Sequence, residues 1–250
     1  MKKLHWLILI LYLSGTNEGY GQYDPGATMM IAQNNMLYNN TIQSFVNQNI
    51  INNLAYANTK NKPSGSKGRK IALPANADVF RITPDNATSI QVKQAIINNL
   101  KKKDPVSGQN LERALNQHTP FAAYIKLLTS LGLDVQHNYA DAFTAYMLGM
   151  WRIANRQGTN PSAPMIQAVR RQIALTVRPD GWNNRQKQEA MEYMIYELIF
   201  ANEPYESSRK SGDKKQMMLD SDAVQQRFLS RNNMDLRNMI ITNEGMIKKK

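Results

Sequence analysis

Between Tyr139 and Arg156 the chain offers water almost nothing. Phe143, Met147, Met150, Trp151 and Ala154 recur at helical spacing on one side, and Tyr139, Ala142, Tyr146, Gly149 and Ile153 on the other. Only a narrow strip through Asp141 and Arg152 is polar. A helix apolar nearly all round has to be enclosed by other elements. The expected fold is therefore all-α, an irregular multi-helix bundle around a buried central helix at about 139–156. Asn138 is placed to cap that helix, with Asp141 at its third position in a weak capping-box pattern and a favourable place in the helix dipole.

The flanking segments read as helices of ordinary amphipathicity. Asp85 is expected to cap a helix running to about Lys103, where Asp104-Pro105 stops it, and a short helix follows at 107–117. Thr119 is expected as the cap of a helix with Pro120 at its first position, the apolar stripe Phe121, Tyr124, Ile125, Leu128 and Leu131, and Gly132 at its end. Beyond 139–156, Asn160-Pro161 or Ser162 opens a helix with Ile166, Val169, Ile173 and Val177 inward and Arg170 outward. Arg178-Pro179-Asp180-Gly181 reads as a turn. A long helix follows over 183–201, with Met191, Met194, Ile195, Leu198 and Ile199 on its core face and Pro204 ending it. Residues 205–215 read as a polar connection. A further helix at about 214–230 carries Met217, Met218, Val224 and Phe228, and 233–247 has no clean period. The core domain is thus expected over 85–203, with less ordered N-terminal and C-terminal segments and a basic connection, helix and tail over 204–250.

The first residues read as a secretory signal over 1–21: Lys2 and Lys3, the apolar run Leu4 to Leu13, then small and polar residues with a cut before Gln22. The run is about ten residues, half of what a spanning helix needs, so no transmembrane span is expected in the mature chain. Residues 22–58 form an Asn/Gln-rich segment that reads as a marginal helix in need of a partner surface, and 59–84 is a basic linker followed by an irregular or briefly extended stretch. The absence of cysteine removes disulfides, thiolate chemistry and Cys-ligated zinc. An exported chain without cysteine suits the bacterial envelope, in the periplasm or outside the cell.

The stretch Leu131-Gly-Leu-Asp, then Tyr139-Ala-Asp-Ala-Phe-Thr-Ala-Tyr and Trp151, with the closing Asn233-Met-Asp-Leu and Ile241-Thr-Asn-Glu-Gly, resembles an uncharacterised domain family of exported bacterial proteins over about residues 80–247. The resemblance implies a bacterial exported helical protein and brings no activity and no site residues.

Common catalytic and metal motifs are missing. Beyond His5 in the signal the only histidines are His118 and His137, and no H-E-x-x-H or G-x-S-x-G pattern exists. Gly21 and Gly26 have phosphate-loop spacing, but Lys-Ser or Lys-Thr does not follow. No cofactor is expected. The carboxylates Glu189, Glu192 and Glu197 share one helix, and Asp134, His137 and Asp141 lie within eight positions. Both groups could be drawn as acid–base clusters, and both read more simply as solvated helix charges and as capping residues beside a loop histidine. Trp182, just after the Pro-Asp-Gly turn, is either a staple at the helix start or an exposed anchor for a ligand.

The formal charge of +12 is concentrated in connections and ends. Lys67, Arg69, Lys70, Lys101, Lys102 and Lys103 are the candidate polyanion contacts, because clustered cations release counterions from a polyanion. No aromatic residues interleave with them, so an anionic envelope polymer or lipid surface suits them better than nucleic acid. The functional expectation is a non-enzymatic binding or interaction protein of the bacterial envelope or exterior. The alternative is a glycan-acting enzyme, cleaving peptidoglycan or polysaccharide with helix carboxylates. Whether a carboxylate pair faces a cleft separates the two.

Overall fold

The structure is a computed structural model that describes residues 77–117, 119–177 and 179–249. The expected signal at 1–21, the Asn/Gln-rich segment at 22–58 and most of the 59–84 stretch lie outside the described residues, as does His118. A 3₁₀ turn at Ala77–Phe80 leads into seven helices, α1 (Asn86–Lys103), α2 (Pro105–Gln117), α3 (Pro120–Ser130), α4 (Tyr139–Ala154), α5 (Ala163–Thr176), α6 (Asn184–Ser211) and α7 (Lys214–Asn232). A second 3₁₀ turn (Leu236–Asn238) precedes an antiparallel hairpin of β1 (Met239–Thr242) and β2 (Gly245–Lys248). The fold is an all-α bundle with this one small ribbon among the described residues.

Local chemistry sets most boundaries where the sequence places them. Asp85 is extended and accepts from the backbone N–H of Ala87 and Thr88, which starts α1; the Thr88 hydroxyl, and after it these backbone bonds, hold the Asp85 carboxyl below its ordinary range. Asp104, forced out of helical geometry by Pro105, ends α1, then accepts from the Ser107 N–H and hydroxyl. That side chain lets α2 begin at Pro105, two residues earlier than expected. Gly108 is required at the α1–α2 crossing, since a Cβ there would sit 2.6 Å from the Lys101 backbone. Thr119 is a correction: it adopts φ 40° and its side chain makes no cap bond, so the Pro120 ring alone sets the first turn of α3.

α4 is the centre. It packs on α5, α6 and α7, and both of its apolar faces are buried except for Gly149 and Trp151, which are half-buried. Trp151 packs at the core's edge and donates Nε1–H to the Met239 carbonyl at 3.0 Å. The polar strip is enclosed too, with Asp141 1% and Arg152 8% exposed. Asn138 caps as expected, accepting from the Ala140 and Asp141 N–H groups.

Two expectations are overturned, on α6 and at the C-terminus. Helix α6 does not stop at Pro204 but runs to Ser211, where Gly212 at φ 76° ends it. Pro204 withholds one N–H from the ladder, yet tertiary contacts hold the next turn: Tyr205 is fully buried under the Arg152 guanidinium, and Ser208 donates to the Pro204 carbonyl and to Asp220. On α7, Met218 is exposed while Val224 and Phe228 are buried. The C-terminal segment, expected to be less ordered, is built into the fold. Met234, Leu236, Met239, Ile241 and Met246 enter the core, and β2 lies on α5, where the Gln172 side chain bonds Met246 through both its N–H and C=O. The core domain therefore extends well beyond residue 203.

Candidate functional site

The carboxylates singled out on α6 are structural, and the solvated reading of two of them is wrong. Glu192 and Glu197 are each 2% exposed. Glu192 accepts from Ser89 Oγ at 2.5 Å and Gln188 Nε2 at 2.8 Å; burial nonetheless pushes its carboxyl up. Glu197 meets Arg227 at 3.3 Å and the Tyr146 hydroxyl at 3.1 Å, again with its carboxyl raised by burial. Glu189 takes a helical i, i+4 bond from Arg185 at 2.7 Å. None of the three is a pocket-lining group.

The Asp134–His137–Asp141 group divides in the same way. Asp141 is buried, accepts from the Asp134 N–H at 2.9 Å and pairs with Arg170, which thus turns inward instead of outward. Its back-bond goes to the loop, so the capping box sketched from the sequence is not formed there. Exposed His137 and Asp134 pair at 2.8 Å, with the His137 carbonyl accepting from the Ile82 N–H. The box is formed instead at α6, between Asn183 and Gln186. Trp182 just before it sets its ring edge against Tyr139, with centroids 5.5 Å apart, so it is a buttress of the core.

Of the polyanion contacts, Lys67, Arg69 and Lys70 lie outside the described residues. Lys101 pairs with Glu112 at 2.6 Å. Lys102 and Lys103 are exposed at the C-terminal end of α1, where cations also match the helix dipole.

A cleft that the sequence did not reveal lies between α3, α4 and α6. It encloses about 1070 Å³ and is closed at one side by residues 158–161. One part is apolar, with Leu127, Leu128 and Leu131 from α3 and its end, Ala145 and Leu148 from α4, and Leu198 from α6. Leu127 is 47% exposed along this face. Gly149 is needed in the floor, since a Cβ there would meet Leu198 Cδ1 at 2.4 Å.

The other part is polar and is organised by Arg152. Its guanidinium donates to Glu206 at 2.6 Å, to the Asn202 amide oxygen and weakly to the Gln157 carbonyl, and lies over the Tyr205 ring at 5.6 Å. Glu206 also accepts from Arg209 at 2.8 Å. Burial alone would raise the Glu206 carboxyl, but the bonds from Arg209 and Arg152 outweigh it and hold it below its ordinary range. Glu203, three residues earlier on the same face, has the opposite fate. It opens to solvent inside the cleft and has no hydrogen bond or ion pair among the described residues; the walls strip enough water to push its carboxyl up, with Lys210 opposing and Glu206 reinforcing the shift. Tyr124 and Ser207 complete this end.

Among the described residues no group of His, Asp and Glu side chains is placed to hold a metal ion, and no helix is long and apolar enough to cross a membrane. In a smaller hollow of about 410 Å³, Asp85 and Asn183 are engaged in capping and Arg185 pairs with Glu189. Comparison with protein-family models, with curated proteins and with solved structures gave no significant match.

Proposed function

We propose that this chain is an exported, non-enzymatic binding protein of the bacterial envelope or exterior, and that the α3–α4–α6 cleft holds an amphipathic ligand. The observation that carries this reading is the division of the cleft into an apolar trough and a polar end ordered by one buried arginine. Its volume is that of a small-molecule site, and an apolar lining with few fixed polar groups is the usual composition of one. Export rests on Lys2, Lys3 and the apolar run after them. The exposed lysines at the end of α1 suit an anionic polymer or lipid surface nearby. Calorimetric titration of the mature protein with single-chain C12 amphiphiles tests the cleft; heats no larger than those of dilution for every head group would reject it. Intact mass of the exported protein tests processing, with Gln22 expected as its first residue.

A second reading has one observation in its favour. Glu203 and Glu206 both line the cleft and their carboxyls are pushed in opposite directions, the pattern of an acid and its ionised partner in glycan cleavage. Against it, Glu206 is held by two arginines. Release of reducing ends from peptidoglycan, abolished by Glu203→Gln, would favour the enzyme.

A further inference from the structure

We propose that the cleft selects amphiphiles with a cationic head group, and that Glu203 is the residue that reads the charge. This deepens the binding reading above and rests on it.

The argument is one of uncommitted charge. The charged side chains lining the polar end are Arg152, Glu203, Glu206 and Lys210. Arg152 is spent on Glu206, Asn202 and the Gln157 carbonyl, so it has little left to offer an anionic head. Glu206 is spent on Arg152 and Arg209. Glu203 lies beside the end of the trough, about a turn and a half beyond Leu198 on α6, and has no bonded partner. Lys210 follows two turns along the helix axis, about 10 Å between backbones, exposed at the rim and outside ion-pair distance of any carboxylate described, although its charge reaches the Glu203 carboxyl and opposes its rise. A head group that follows its chain out of the trough therefore meets Glu203 before Lys210. An anionic head there would face two carboxylates, with the nearest arginine already paired. A cationic head would supply the partner that Glu203 lacks. Tyr124, on the facing helix, adds an aromatic wall at the same end.

The protein's overall charge makes this choice diagnostic. A chain of formal charge +12 attracts anionic amphiphiles non-specifically. A preference for the cation would run against that field and has to come from the cleft itself.

The test is calorimetric titration of the mature protein at physiological salt with dodecylammonium, laurate and the uncharged dodecyl maltoside, each below micelle formation. Dodecylammonium is expected to bind more tightly than laurate by roughly fivefold, the ratio that a partly exposed ion pair supports. Glu203→Gln is expected to remove the preference, and Glu203→Lys to reverse it, without loss of thermal stability because the side chain is at the surface. Equal binding of the three, or a preference for laurate that Glu203→Gln leaves unchanged, overturns the selection while leaving the cleft as a binding site. Binding of none overturns both.

Discussion

The Glu197–Arg227 pair allows a prediction with a calculable size. Both side chains are almost wholly buried, 2% and 5% exposed, and they meet at 3.3 Å, with the Tyr146 hydroxyl donating to the other carboxylate oxygen at 3.1 Å. At an effective dielectric of roughly 20, two charges at that separation attract by about 5 kcal/mol. Removing two ions from water costs several kcal/mol each, so the net worth of the pair is near zero or negative. Burial raises the Glu197 carboxyl and lowers the Arg227 guanidinium, which is the same cost seen from each partner. Glu197→Leu or Arg227→Met alone is therefore expected to destabilise by about 3–5 kcal/mol, because the other charge is left buried without its counter-ion. The chain carrying both, with Tyr146→Phe so that no hydroxyl is orphaned, is expected to lie within about 1 kcal/mol of the parent or to be more stable. Guanidinium unfolding, with the midpoint and slope fitted for each chain, measures this. A triple variant as unstable as the summed single losses would refute the reasoning, because the cost would then belong to shape and not to an unpaired charge.

At the start of α4, Asn138→Ala should cost about 0.5–2 kcal/mol for the lost cap, whereas Asp141→Ala should cost more, about 2–3, because it strips a charged partner from Arg170 and an acceptor from the Asp134 N–H. His137→Ala, at an exposed loop position, should change urea melts by no more than about 0.5 kcal/mol; a larger loss would mean the loop is held by the ring. Phe143→Ala should cost about 3–5 kcal/mol in the same assay, the range for a fully buried ring, and half-buried Trp151→Ala roughly 1–3. For Glu192 the pH sign is fixed by its raised carboxyl: its contribution is complete below the ordinary glutamate range and is lost as pH rises through the raised value. Glu192→Gln should therefore flatten the fall in stability as pH rises above the ordinary glutamate range, and parallel pH profiles for the two chains would contradict this.

The apolar period was enough to place α4, α5 and the first half of α6, because each presents a face that only packing can use. Caps at Asp85 and Asn138 were legible for a similar reason: their bonds reach two or three residues along the chain. What could not be read were bonds between distant positions. Glu192 is held by Ser89, 103 residues away, and Asp141 by Arg170, 29 away, so the first reads as a solvated helix charge and the second as no more than a capping residue. The hairpin strands are four residues each, too short for alternation to stand out. The cleft stays hidden in the sequence because Pro204 reads as the end of α6. Continuing the count through it would have set Tyr205 in phase with Leu198 and Asn202, and Glu203 and Glu206 on one face.

The hairpin also fixes an order of events. Trp151 and Asn155, in the middle of the chain, direct side-chain N–H groups at the carbonyls of Met239 and Leu236, and five core residues come from positions 234–246. While a chain is still being made, those partners do not yet exist, and the central helix has one side open. Synthesis must pass residue 246 before the bundle can close, so a growing chain stays short of its final stability until nearly all of it has emerged.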